Sequence, residues 1–288
     1  MKHLLSKLAY KVTRVGTSYF RYIVLTGTFP RLQRKTRISE YLLERKLLND
    51  FSQPQLCGKL EGSFYASMIL GKEKIVPKTL ILKNSGNMMC FVDQILLMAK
   101  EKPIVLKPNH ACAKILIITP ENRLNFSKPK LNRTLKAWLS YDYSSVSGES
   151  IYRHAQKLII AEESISGDRL ATDLKIHCFN GQPKVIQYLK RGSGSLQRLS
   201  LLLDNGRIKK AQLYRNEVIE ENIVSLELIR KAISDATLLS RGMKYVRVDF
   251  FMTEQKYYFA EFTFLPAGGC MPLLSRQVDE MFYKLLTE

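Results

Sequence analysis

Apolar positions change period several times along this chain, and each change marks an element. Between Ile38 and Gly71 they recur at helical spacing, as Ile38, Leu42, Leu43, Leu47 and Leu48, then Phe64, Met68 and Ile69. Pro54 and Gly58 punctuate the pattern and Gly71 supplies a C-terminal stop. After Pro77 come strand-length runs at 79–82, 104–108 and 115–119, with helical spacing at 91–99 and 127–141 and a polar stretch at 143–150 that reads as a mobile loop. A strand at 157–161 runs into Glu162 and Glu163. Two hairpins follow: 172–179 with 185–189 around Asn180-Gly181, and 200–203 with 208–214 around Asn205-Gly206. Residues 223–240 form the clearest helix, with Leu226, Ile229, Ile233 and Ala236 on one face and Gly242 closing it. A strand-rich C-terminal half with helices laid over sheets is an α+β chain.

The last hairpin, 245–251 with 257–264, is the most informative. Strand side chains alternate between faces, so Arg247, Asp249 and Phe251 share one face and Val246, Val248 and Phe250 the other. On the second strand Glu261 and Thr263 share a face, opposite Ala260, Phe262 and Phe264. Charges inside such apolar strands are costly to bury unless paired or bound to a cation. Two carboxylates with a hydroxyl make a hard-oxygen site suited to Mg²⁺; an Arg247–Asp249–Glu261 ion-pair cluster on a solvated face is the other reading. Asp173 and Lys175 likewise share a face. Lys107 ends an apolar strand before the small-residue turn from Asn109 to Lys114, where an ammonium and backbone N–H groups can clamp phosphate; a plain hairpin with exposed lysines is the alternative.

With 288 residues, 45% hydrophobic and 25% charged, the chain buries a sizeable core. Five scattered cysteines without a CxxC pair argue against a disulfide framework or a zinc site and suit a reducing, cytoplasmic setting. The net charge of +19 is concentrated early: nine Lys and Arg side chains precede the first acid, Glu40. There Leu4, Leu5, Leu8, Val12 and Val15 form an apolar stripe with Lys7, Lys11 and Arg14 displaced from it, a basic amphipathic helix suited to an anionic membrane surface or to packing on the body. No uninterrupted apolar stretch marks a signal peptide, and 19–25 is too short to span a bilayer. Nucleic acid is not an expected partner, since zinc-finger spacing, RNP-like aromatic strands and an arginine-rich tail are all lacking.

The order of these pieces resembles the ATP-grasp superfamily, and within it the TupA-like branch associated with teichuronopeptide and surface-polysaccharide biosynthesis. The matching phrases are IVLKPNH at 104–110, LIIAEE at 158–163, DLKIHCFNGQPKVIQ at 173–187, YVRVDFF at 245–251 and AEFTFLPAGG at 260–269. The resemblance implies a nucleotide held between two α+β lobes, about 102–165 and 166–288, within a catalytic region 51–288 that follows a basic helical segment 1–50. It places Lys107 on the ATP phosphates with His110 beside the phosphate turn. Glu162 falls at the start of the inter-lobe linker, the backbone from Glu163 to Ile165 on adenine, Asp173 toward ribose and Lys175 in the same cleft. Asp249, Glu261 and Thr263 match the Mg²⁺ ligands, and Arg247 would stabilise an acyl-phosphate and its transition state. The implied activity is ATP-dependent ligation of a carboxylate to an amine. The acceptor would be a sugar carboxylate or lipid-linked glycan, the donor an amino acid or amine, and the setting the cytoplasm at the inner membrane face.

One departure bears on this. Relatives carry a Gly-Ser-Gly-like turn where this chain has Ala111-Cys112-Ala113, and side chains there restrict positive φ and close approach to phosphate. A non-catalytic protein that holds polysaccharide intermediates or assembly partners at the membrane is therefore the alternative. The usual second, earlier lysine has no clear match; Lys59 is the candidate.

Overall fold

The computed structural model describes residues 15–167, 171–191, 196–204, 206–214, 217 and 225–288. The proposed amphipathic stripe from Leu4 to Val12 lies outside the described residues, as do Asn205 and residues 223 and 224 at the start of the expected helix at 223–240.

Two antiparallel sheets carry the fold. The smaller has the order β1-β4-β2-β3 and is built from Lys78–Leu82 (β1), Ile104–Pro108 (β2), Leu116–Ile118 (β3) and Ile159–Glu163 (β4). Its apolar face is covered by Met88–Met98 (α4) and Lys128–Ser140 (α5), so that Ile104, Leu106, Ile159 and Ala161 pack against Phe91, Val92, Ile95, Leu131, Leu135 and Trp138. The α and β labels follow chain order, α1 being residues 15–26, α2 Ile38–Leu48 and α3 Lys59–Leu70.

The larger sheet is six-stranded. Thr172–Phe179 (β5), Gln182–Arg191 (β6), Leu196–Asp204 (β7), Arg207–Ala211 (β8), Tyr245–Met252 (β9) and Tyr257–Thr263 (β10) assemble in the order β10-β9-β5-β6-β7-β8. Leu174, Ile176, Val246, Val248 and Phe250 bury against Ile229, Ala232 and Ala236 of Leu226–Leu239 (α7, following Tyr143–Ser147, α6). The alternate residues Asp173, Lys175, Arg247 and Asp249 are thereby left on the opposite face. That division is the expected period-2 pattern at work. Asn180 and Gly181 adopt φ of 49° and 75°, as a two-residue turn with both central residues left-handed requires.

Three expectations change. Residues 143–150 are not a plain loop: Asp142 caps α6, and Tyr143 packs edge-on against Tyr152 at 4.9 Å between ring centroids. A bulge between Phe259 and Glu261 breaks the alternation of β10, so Ala260 lines the same cleft as Glu261 rather than facing away. Finally, Arg276–Thr287 (α8), absent from the sequence expectations, packs with α2 through Asp279, which accepts hydrogen bonds from Ser39 N at 2.9 Å and Ser39 Oγ at 2.5 Å. Through such contacts residues 38–70 join the larger sheet's side of the molecule, with α3 lying along β10.

Candidate active site

A cleft of about 290 Å³ opens between the two sheets. The smaller sheet and the linker after β4 contribute Val105, Lys107, Ile117, Glu162, Glu163 and Ile165, and the larger sheet contributes Asp173, Lys175, Asp249, Phe251 and Glu261. Most of the residues singled out from the sequence therefore meet in one place although they are scattered over some 150 positions of chain.

On the larger sheet, Asp249 and Glu261 are cross-strand partners. Asp249 is 2% exposed. Arg247 donates to both of its oxygens, Nε to Oδ1 and Nη2 to Oδ2, each at 2.6 Å, and Lys175 Nζ donates to Oδ2 at 3.2 Å. Burial opposes ionisation of Asp249, but Arg247 and Lys175 hold its pKa below the ordinary aspartate value. Thr263 Oγ1 accepts from Arg247 Nη2 at 3.1 Å, tying the end of β10 into the group. Lys175 also lies 3.5 Å from Asp173 Oδ2. Glu261 faces the cleft more openly, with a side chain 27% exposed, and Lys59 Nζ approaches it at 3.5 Å.

On the smaller sheet, Glu162 is buried between two ammonium groups, Lys107 Nζ at 2.5 Å and Lys78 Nζ at 2.7 Å. Burial raises the cost of its charge, and the two lysines more than offset that, leaving its pKa below the glutamate norm. Lys78 has no counterpart among the sequence expectations; it is the first residue of β1 and reaches Glu162 only because β1 pairs with β4. Lys59, the candidate second lysine, lines the cleft, where Nζ donates to Ala111 O at 2.9 Å. Its ion-pair partner there is Glu261, at 3.5 Å.

His110 is not brought into the cleft: it is buried, and burial followed by the charge of Lys157 lowers its pKa. The turn beside it does line the cleft, and Ala113 takes φ 57°, a left-handed conformation that costs a residue with a Cβ about 1–2 kcal/mol. Ala113→Gly should remove that strain, with a net gain in unfolding free energy of about 0.5–1 kcal/mol after the greater chain entropy of glycine, measurable by denaturant titration. Restoring Gly-Ser-Gly over 111–113 should also tighten nucleotide binding if the turn limits backbone approach, checked by titration with ATP.

Below the charged group lies a fully buried histidine. His177 Nδ1 shares a hydrogen bond with Tyr245 Oη at 2.9 Å, and Nε2 lies 3.2 Å from both Gln187 Oε1 and Tyr214 Oη. Burial and the nearby Arg247 push its pKa down to about 3. The folded state therefore holds His177 neutral where the unfolded chain, with a pKa near 6.5, takes up a proton. This contribution to stability is complete above about pH 6.5 and is lost as pH falls, by about 2 kcal/mol at pH 5. Glu162 adds a second loss of the same sign below about pH 4.3. His177→Gln should flatten the dependence between pH 6.5 and 5 in urea melts while leaving the lower one.

The sequence matches the TupA-like ATPgrasp family over residues 48–286. The chain belongs to that family. Its α+β fold is thus the ATP-grasp fold, with the cleft between the two sheets. Solved structures that it resembles include the ATP-grasp ligase PsnB complexed with minimal precursor, at 12% identity and a TM-score of 0.39 over 78% of this chain and 55% of that one. D-alanine–D-alanine ligase from Bacillus anthracis aligns at 17% identity and a TM-score of 0.43, over 81% of this chain and 65% of the other. The D-cycloserine synthetase DcsG aligns at 12% and 0.43, over 83% and 72%. The chain spans between about half and two thirds of the first two relatives' length. No curated protein matches the sequence.

Proposed function

We propose that this TupA-like ATP-grasp protein is an ATP-dependent carboxylate–amine ligase. The observation that carries the reading is the cleft itself: two carboxylates, Asp249 and Glu261, face across it toward the strand lysine Lys107, with apolar Val105, Ile117 and Ile165 between. Apolar walls with a few convergent charges suit a base attached to a polyphosphate.

The residues fit the partners that such chemistry needs. Asp249, Glu261 and the hydroxyl of Thr263 would supply hard oxygens for Mg²⁺; among the described residues no group of three or more His, Cys, Asp or Glu side chains is gathered as a metal cluster. Mg²⁺, when bound, neutralises phosphate charge and polarises the transferring group. Lys107 would turn from Glu162 to the phosphates while Lys78 keeps the carboxylate paired, and the backbone from Glu163 to Ile165 would meet adenine. Asp173 would accept from ribose, and Lys175 would sit beside the phosphates. Arg247, held by Asp249 and Thr263, would stabilise charge on an acyl-phosphate. The γ-phosphoryl would pass to a carboxylate oxygen of the acceptor. An amine nitrogen would then attack the acyl carbon, expelling phosphate and losing a proton.

For the acceptor we favour a uronic-acid-type group in a bacterial surface polysaccharide, carried on a lipid-linked glycan, and for the donor an amino acid or amine. Contact of residues 1–37 with an anionic membrane at the cytoplasmic face would bring the cleft to it. No described helix is long and apolar enough to cross a membrane. The alanine turn at 111–113 favours the second reading, a non-catalytic glycan-binding protein. Mass spectrometry of the surface glycan with and without this protein tests the substrate: loss of an amide-linked amino group is expected, and an unchanged glycan would contradict it.

A further inference from the structure

Helix α1 packs on the body through Tyr22, which clusters with Leu43 and Cys270. Ser18 and Tyr22 are buried, and Arg21 Nη2 donates to Ala267 O at 3.0 Å in the turn that follows β10. The other face carries Phe20, Val24 and, just past the helix, Phe29, which are 71%, 64% and 78% exposed. Three large apolar side chains projecting from ten residues of a surface segment are more than scattered exposure explains.

Charge surrounds them on one side of the ledger. From Val15 to Arg37 the chain has Arg21, Arg31, Arg34, Lys35 and Arg37 and no acid. Beneath Phe29 lies a second cavity of about 240 Å³ lined by Thr28, Pro30, Arg31, Thr36, Arg37 and Arg276. The carboxylates nearby are engaged: Glu40 accepts from Arg37 at 2.8 Å, Glu280 from Arg276 at 2.7 Å and Glu44 from Lys35 at 2.8 Å, while Asp279 holds Ser39. Arg31 and Arg34 form no ion pair among the described residues, and the buried Nε of Arg37 has no hydrogen-bond partner. An arginine-lined pocket next to an exposed aromatic fits a phosphate ester whose other end is hydrocarbon.

We propose that residues 15–37 form a membrane-docking face, with Phe20, Val24 and Phe29 entering the acyl-chain boundary and the Arg31–Arg37–Arg276 pocket receiving a lipid phosphate. The proposal rests on the reading that the N-terminal segment contacts an anionic membrane, and adds which surface does so and what it recognises. The Arg21–Ala267 bond ties this face to the turn that follows β10.

The test uses full-length protein co-sedimented with vesicles of phosphatidylcholine alone, or containing phosphatidic acid or phosphatidylglycerol at equal charge. Binding to both anionic compositions and not to phosphatidylcholine is expected, with preference for phosphatidic acid, whose phosphate monoester can enter the pocket. Phe20→Ser/Val24→Ser/Phe29→Ser should weaken binding by about tenfold or more with an unchanged melting midpoint, since these side chains contact solvent. Arg31→Gln/Arg276→Gln should abolish the preference for phosphatidic acid. Deletion of residues 1–14 should weaken binding only in part. Wild-type binding by the triple variant would overturn the proposal, as would a midpoint lowered by several degrees, which would mean that the face is covered by the chain itself. Stabilisation by inorganic phosphate without vesicle binding would also overturn it. The midpoint shift on adding Mg·ATP, read in the same samples, reports separately on the nucleotide cleft, so a failed ligase reading and a failed docking face are distinguishable.

Discussion

Glu261→Gln should abolish ATP-dependent phosphoryl transfer, by at least about 10²–10³-fold, while changing stability by less than about 1 kcal/mol. The amide keeps the shape of the side chain and removes a charge that Mg²⁺ needs. Among the described residues it pairs with Lys59 at 3.5 Å, a long contact in which the Glu261 side chain is 27% exposed, and Lys59 keeps Ala111 O as a second partner, so little of the fold depends on it. Asp249→Asn should lose as much activity and, unlike Glu261→Gln, should also lower unfolding free energy by about 3–5 kcal/mol, because Arg247 and Lys175 are left buried beside a neutral group. The two carboxylates match the same role in the sequence motif, and only the geometry separates their structural costs. ADP release and urea melts on the pair check this. Full turnover in Glu261→Gln would remove it from the metal site.

The second large effect concerns Lys107 and Lys78. Lys107→Met should weaken ATP binding by about 10²-fold with a modest stability cost, since Glu162 keeps its 2.7 Å contact with Lys78. Lys78→Met should cost a similar amount of stability but weaken ATP binding far less, since Lys78 does not line the cleft. The double variant should lose far more stability than the two single losses added together, about 3–5 kcal/mol, because the buried Glu162 then has no cation. Glu162→Gln placed in the double variant should recover much of that stability and none of the ATP binding. Additive losses of stability would contradict the shared pairing, and recovery of ATP binding along with stability would show that Lys107 serves the carboxylate alone. Isothermal titration and urea melts on the same preparations provide both readings.

Much of this site is legible in the sequence for a local reason. Period-2 alternation in YVRVDFF and in TDLKIH puts Arg247, Asp249, Asp173 and Lys175 on faces that can be named before any pairing is known, and the Asn180-Gly181 turn fixes the register that brings β5 and β6 together. Lys78 is different. It is one basic residue among 45, at the start of an unremarkable strand, and its meaning depends on β1 lying beside β4, a pairing that spans some eighty residues. The bulge at Ala260 has no signature in YYFAEFT. The helix Arg276–Thr287 has apolar positions at Val278, Phe282 and Leu286, yet its partner α2 lies at the other end of the chain, so nothing local ranks it as core. His110 fails for the converse reason: adjacency to the phosphate turn in sequence is not adjacency to the cleft, since the backbone turns between Asn109 and Ala111.

The most direct test of the central claim is the melting midpoint of the full-length protein with and without millimolar Mg·ATP, measured on wild type and on Glu261→Gln. A ligand that binds only the folded state at about a hundred times its Kd adds about 2.7 kcal/mol of stability, which is about 5–10 °C for a chain of this size. The wild type should rise by that amount with Mg·ATP and by clearly less with ATP in excess chelator, and Glu261→Gln should lose the Mg²⁺-dependent part. A wild-type midpoint that does not move with Mg·ATP would contradict a nucleotide-binding cleft in this chain.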